Sequence, residues 1–265
     1  SGCKDGRMGV PQLEIVMEER QLYLFGMHPV AEAVRQGRKL EKVIFKQGLE
    51  GDQFRALLKE VEEKGIPCQF VPGEKLNHLV KGSHQGVVAY ISQIDYIDFE
   101  TMVDNALAAK KNPVFIMLDG VSDVRNLGAI ARSAECTGID GLILPAKGGA
   151  AINADAVKTS AGALLRIPTT KVTNLRIPVY YLKELGFKIV AATEKCDDLM
   201  YDIDFTGPTA VILGSEGTGI SPALLSLCDC RAKIPMDGQT GSLNVSVAAA
   251  VIMYESLRQR RIKNQ

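Results

Sequence analysis

No tryptophan, only three histidines and no Cys-x-x-Cys pair occur in this chain of 265 residues. With so few histidines and such scattered cysteines there is no ligand set at zinc spacing, so no metal site is expected. The six cysteines (Cys3, Cys68, Cys136, Cys196, Cys228, Cys230) read as reduced, structural thiols of a cytoplasmic protein. An excess of either charge is also lacking, since Lys+Arg and Asp+Glu both total 31. A nucleic-acid surface would therefore have to be a local patch rather than a field over the whole protein. No apolar stretch approaches the ~20 residues of a membrane span, and no signal peptide is visible. What is there, 46% apolar and 23% charged residues, reads as a globular chain of one large domain or two modest ones.

Residues 1–20 are polar and without period, and read as a disordered tail in which Met8 and Met17 each suit a start. Residues 21–95 alternate strand and helix patterns, as a small α/β domain does. Strands are expected at 22–25, 42–45, 67–71 and 87–91. Phe54, Leu57, Leu58 and Val61 recur at helical spacing and predict an amphipathic helix over 52–64. Residues 96–112 read as a partly helical linker. From 113 to 265 near-continuous apolar runs (114–118, 141–144, 210–213) alternate with helical patterns, which predicts a mostly parallel sheet covered on both faces. Ligands in such sheets sit beyond the carboxyl ends of the strands. Thr193-Glu194, Gly214–Gly217 and the loop after Ile234 would converge there.

Four loops carry candidate chemistry. Gly214-Ser215-Glu216-Gly217-Thr218-Gly219 has no Gly-Lys-Ser/Thr ending and is not G-x-G-x-x-G, which argues against a nucleotide triphosphatase and an NAD enzyme. Its glycines suit a backbone that passes close to a ligand. In KIPMDGQTGSLNVSVAAA (233–250) a polar loop runs into a buried helix over 247–254, with an Asn or Ser placed to cap it. On spacing alone this is equally an ordinary loop-to-helix junction. Finally, Gly26-Met27-His28-Pro29 and Gly82-Ser83-His84-Gln85-Gly86 each put a histidine in a glycine-bearing turn, where capping of backbone groups is the commoner role.

Resemblance adds to this reading. LDGVSDVRNLGAIARSAECTGIDGLIL (118–144), VILGSEGTGISPALL (211–225) and IPMDGQTGSLNVSVAAAVIMYE (234–255) resemble, in order, three signatures of the SpoU-type (TrmH-like) RNA ribose 2′-O-methyltransferases of the SPOUT superfamily. The resemblance implies an α/β catalytic domain over 113–265 with a deep trefoil knot. In its bend S-adenosylmethionine would be held by main-chain groups at Gly214, Ile234 and Leu243, with Leu213, Thr193 and Met236 beside them. It also implies a catalytic set of Arg132, Asn126, Glu216, Ser242 and Asn244. A guanidinium stays protonated near neutral pH, so Arg132 is an awkward base. Two roles stay open for it: holding the 3′ phosphate and lowering the hydroxyl pKa, or taking the proton with phosphate help.

Residues 21–95 resemble the L30e-like RNA-binding domain of the large-subunit rRNA members, which implies RNA contacts at His28, Arg35, Arg38, Lys39 and Gln85. The layout is most similar to enzymes that methylate a guanosine ribose in 23S rRNA, with transfer RNA as the alternative substrate. The family implies a homodimer through the terminal helix. A non-catalytic RNA-binding assembly factor is a reading of another class, and the intact catalytic set argues against it. A methyltransferase of proteins or small molecules is a third, opposed by the extra domain and its basic cluster over 35–42.

Overall fold

Side-chain alternation builds the first sheet. Leu24, Val43, Phe45, Val87 and Ala89 are buried on one face, and Tyr23, Phe25, Ile44 and Val88 on the other. This sheet belongs to the first of two compact units, residues 1–92 and 93–265, in a computed structural model that describes residues 16–18 and 21–263. Its strands are β1 (Val16–Glu18), β2 (Gln21–Phe25), β3 (Leu40–Lys46), β4 (Cys68–Val71) and β5 (Val87–Ile91), in the order β1-β2-β5-β3-β4. Only β3 and β4 run parallel. Residues 16–18 pair with β2, which corrects the expected disorder at those three positions; the rest of the expected tail lies outside the described residues. Helices α1 (Met27–Arg35) and α2 (Asp52–Glu63) bury Val30, Val34, Leu57 and Val61 on one face. The short α3 (Gly73–Leu79) buries Leu76 on the other.

Strand direction sorts the connections of this unit to two ends. The Gly26 N–H donates to the Val87 carbonyl at 3.0 Å and the Lys46 N–H to the Gly86 carbonyl at 2.8 Å. The turns at 26–29, 46–51, 72–75 and 82–86 therefore share one end of the sheet. The Ser92 N–H donates to the Lys39 carbonyl at 2.9 Å, which fixes 36–39 at the other end.

In the second unit β6 (Val114–Asp119), β7 (Gly141–Pro145), β8 (Thr169–Val172), β9 (Lys188–Ala192), β10 (Thr209–Gly214) and β11 (Cys230–Ala232) form one sheet, ordered β11-β9-β10-β6-β7-β8. Every pairing in it is parallel. Its central strands β6, β7 and β10 are apolar over most of their length because both faces are covered. Ile116, Leu118, Val211 and Leu213 pack under α5 (Val124–Cys136), α6 (Ala154–Thr159) and α9 (Val245–Lys263). Phe115, Met117, Ala210 and Ile212 pack under α4 (Phe99–Ala109), α7 (Arg176–Glu184) and α8 (Pro222–Leu225). Met102, Val103 and Ala106 of α4 are buried there, so most of the stretch read as a linker is core of this unit. Arg260 of α9 donates to the Asn112 carbonyl at 2.5 Å and the Gly207 carbonyl at 2.7 Å. Those bonds tie the end of α9 to the segments that lead into β6 and β10.

Candidate active site

At the carboxyl ends of β9, β10 and β11 the sheet opens into a cavity of about 440 Å³. Its walls include Leu213, Gly214, Thr193, Ile234, Met236 and Leu243. These are the six positions that the resemblance proposes for the cofactor, and the structure brings them together. Gly214 shows how closely the backbone folds here. A Cβ on it would stand 2.1 Å from the Gly219 carbonyl carbon and 2.3 Å from the Ile220 nitrogen. The loop 215–219 closes on itself through the Gly219 N–H to the Ser215 carbonyl at 2.9 Å, with Gly217 and Gly219 at positive φ. It is braced from the next strand, where the Asp119 carboxylate accepts the Ser221 N–H at 2.7 Å.

A polar cluster sits on the same wall. The Asn244 side chain caps α9, its Oδ1 accepting from the Ser246 and Val247 N–H groups at 3.0 and 3.3 Å. Its Nδ2 donates to Glu216 Oε1 at 2.6 Å and to Asn126 Oδ1 at 3.1 Å. The same Glu216 oxygen accepts the Val245 N–H at 3.3 Å, which places a carboxylate at the positive end of a 19-residue helix. Ser242 is on the cavity wall and makes no hydrogen bond among the described residues.

Arg132 stands apart. The six residues from Asn126 turn a helix by about 600°, which leaves Arg132 about 120° round α5 from it. It is exposed, makes no hydrogen bond or ion pair among the described residues, and is not on the cavity wall. Asn126 lies in the first turn of α5, which starts at Val124, with Asp123 accepting the Arg125 and Asn126 N–H groups at 2.8 and 3.0 Å. Sequence reasoning gave no role to Lys195 and Asp119. Asp119 ends β6 and Lys195 lies just past β9, and position at the carboxyl end of a parallel strand was the signal available.

Three cysteines of the second unit are held as thiols. Burial pushes the Cys228 thiol up to about 11 and raises those of Cys196 and Cys230 as well. Among the described residues no group of three or more His, Cys, Asp or Glu could share a metal ion, and no helix is long and apolar enough to cross a membrane.

The five RNA candidates of the first unit fall into two sets. Gln85, at φ 50°, turns its Oε1 to accept the Met27 N–H at 3.0 Å, so it caps α1 from another loop. His84 is a post beneath that turn. Its Nδ1 accepts the Gly86 N–H at 2.9 Å, which leaves Nε2 to donate to Asn77 Oδ1 at 2.7 Å. Burial first, and Lys46 second, hold His84 below the usual histidine pKa. His28 is exposed at the same end. Arg35, Arg38 and Lys39 belong to the opposite end, where Arg35 is engaged by Glu60 at 3.1 Å.

Comparison with known proteins identifies the class. The SpoU methyltransferase AviRb of Streptomyces viridochromogenes, solved with S-adenosylmethionine, matches over 91% of both chains with a TM-score of 0.59 and 26% identity. The TrmH/SpoU tRNA modifying enzyme of A. aeolicus matches over 62% of this chain and 85% of its own, with a TM-score of 0.54 and 30% identity. A protein of Staphylococcus saprophyticus named as a TrmH family tRNA/rRNA methyltransferase is 36% identical over 92% of this chain and 97% of its own. The chain is an RNA 2′-O-methyltransferase that uses S-adenosylmethionine. It belongs to the SpoU rRNA methylase family, whose model matches residues 113–254; an RNA 2′-O ribose methyltransferase substrate-binding model matches 23–97. The cavity suits that cofactor in size, within the roughly 300–1,000 Å³ of small-molecule sites, and in its mix of close backbone, apolar wall and polar groups.

Proposed function

We propose that the chain methylates the 2′-hydroxyl of a guanosine ribose in large-subunit ribosomal RNA, at the cavity beside the Asn126–Asn244–Glu216 cluster. That cluster is the observation that carries the reading. It is a hydrogen-bonded amide–carboxylate group fixed on a helix N-terminus, against a wall too close for side chains. When bound, S-adenosylmethionine supplies a methyl group on a sulfonium, a leaving group that needs little help, so the protein's work is alignment and removal of one proton. Main-chain groups at Gly214, Ile234 and Leu243, with Leu213, Thr193 and Met236 beside them, hold the cofactor. Ser242, Asn126 and the Asn244–Glu216 pair shape the place where the ribose meets it. Arg132, whose exposed side chain has no partner among the described residues, holds the phosphate 3′ to the target ribose. Its positive charge there lowers the pKa of the hydroxyl without giving up its own proton.

Ribosomal rather than transfer RNA is favoured because the family model over 113–254 is described as an rRNA methylase, and the A. aeolicus tRNA modifying enzyme matches only 62% of this chain. In the same reading the protein is a cytoplasmic homodimer with a knotted catalytic domain. Val247 and Tyr254, 48% and 53% exposed on α9, belong to the dimer surface. The test is methyl transfer from labelled S-adenosylmethionine to unmodified rRNA and unmodified tRNA, with Arg132→Ala in parallel. Label at one alkali-resistant rRNA position, lost in the variant, is the expected outcome. Label in tRNA alone would replace the substrate. Cofactor binding without transfer to either RNA would leave an assembly factor.

A further inference from the structure

The two ends of the first unit's sheet are about 20 Å apart, the length of β3 at roughly 3.3 Å per residue. They differ in how far their charges are already spent. In residues 32–42 and 60–64, which lie toward the Arg35 end, five acidic and five basic residues balance. Arg35 is held by Glu60 there, and the Lys64 ammonium is turned inward onto the Val34 carbonyl. The end that carries His28 is different. Lys46, Lys75 and Lys81 are exposed on it and make no ion pair among the described residues. Glu50 and Glu74 are the acids of the same segments, and all three histidines of the chain are there.

The second difference is rigidity. The turn 82–86 is built under constraint. Gln85 holds a left-handed φ, and a Cβ on Gly82 would stand 2.7 Å from the Phe25 ring. Bonds from Met27 to Gln85, from Gly86 to His84 and from His84 to Asn77 lock it to α1 and α3. Such strain costs on the order of 1–3 kcal/mol and persists only where surrounding contacts impose it. A locked, exposed turn beside free lysines presents charge at little ordering cost on binding.

We infer that the RNA backbone docks on this end of the first unit. Lys46, Lys75 and Lys81 contact phosphates there with His28 beside them, and the Arg35–Lys39 end carries none of the binding. Gln85 and His84 act as positioning residues that hold the turn. The inference rests on the first unit being the part that receives RNA.

The experiment uses the full chain and an unmodified transcript of large-subunit rRNA. Binding is measured from about 50 to 200 mM salt for wild type, for the Lys46→Ala/Lys75→Ala/Lys81→Ala variant, for its Lys→Arg counterpart, and for Arg38→Ala/Lys39→Ala. Each phosphate contact adds about 0.7–0.9 to the slope of log affinity against log salt. The alanine triple variant should therefore lose about 2–3 of that slope and bind at least about tenfold more weakly. Its KM for RNA rises while its S-adenosylmethionine affinity stays at the wild-type value. The arginine variant restores the slope, and Arg38→Ala/Lys39→Ala behaves as wild type. A loss confined to the Arg38/Lys39 variant, or equal loss in both, overturns the assignment of the face. Wild-type protein that binds no rRNA above its binding of tRNA overturns the substrate reading instead.

Discussion

At Gly214 the chain has no room for a methyl group. Backbone atoms of Gly219 and Ile220 lie 2.1 and 2.3 Å from where a Cβ would be, and neither can rotate away as a side chain could. Gly214→Ala should therefore displace the loop 215–219, with an overpacking cost of about 1–3 kcal/mol. Calorimetry is expected to show S-adenosylmethionine affinity falling by at least about tenfold, together with a lower Tm. Asn244 does two jobs with opposite ends of one amide, and substitution separates them. Asn244→Ala removes the cap of α9 and should cost about 1 kcal/mol. Asn244→Ser keeps an acceptor for the cap but loses the Nδ2 donor to Glu216 and Asn126. Thermal melts should place the serine variant near wild type and the alanine variant below it, while methyl transfer falls in both. A serine variant with full activity would mean that the Glu216 contact is dispensable. Leu213, Gly214, Ile234, Met236 and Leu243 were legible because each lies in a signature that resembles the family, and Thr193 because it follows a parallel strand. Arg132 was legible as a candidate but not in its place. Six residues on, about 120° round α5 from Asn126, it lies on another side of the helix.

At the scale of elements, the buried parallel strands were the plainest features, since a strand covered on both faces has no polar alternation to break its apolar run. Helix ends were harder to read. The start of α5 is set by a single Asp123 carboxylate. The apolar pattern of α9 stops at Tyr254, yet the helix runs to Lys263. What extends it is polar: Glu255, buried, accepts from Arg258 at 2.8 and 2.9 Å and from Gln259 at 2.8 Å. Arg258, then Gln259, hold its carboxyl below the ordinary 4.5, against the pull of burial. A depressed folded-state pKa stabilises the protein above the unfolded value, and that stability is lost as pH falls through the folded value. Tm should therefore drop as pH is lowered from neutral through 4.5 and below. Glu255→Gln should start from a lower Tm at neutral pH and show a shallower acid dependence. An unchanged acid slope in that variant would assign the loss to Asp98, Glu135 and Asp204, whose carboxyls are held low by Thr101, Arg166 and Thr206 respectively.

At the scale of the whole molecule, zero net charge hides a division of labour. The strand–helix alternation over 21–95 and the near-continuous apolar runs from 113 onward were the marks of two bodies in the sequence. Their boundary was obscured because α4, amphipathic and flanked by charge, reads as a tether when it is core. Every residue on the cavity wall lies between Ala192 and Ile252, and both hydrophobic clusters beneath it are closed by residues from Ile94 onward. A chain of residues 93–265 therefore has the means to fold alone. It should bind S-adenosylmethionine within about twofold of the full chain, as expected of a domain that contains its entire site. Its affinity for rRNA should fall and lose much of its salt dependence, since the lysines of the first unit are gone. The comparison is calorimetry for the cofactor and filter binding for rRNA on the two proteins side by side. If the fragment is folded by circular dichroism but has lost cofactor affinity, the first unit supports the cavity as well as the substrate. If it keeps full rRNA affinity, recognition belongs to the catalytic unit, and the first unit's lysines are merely solvated.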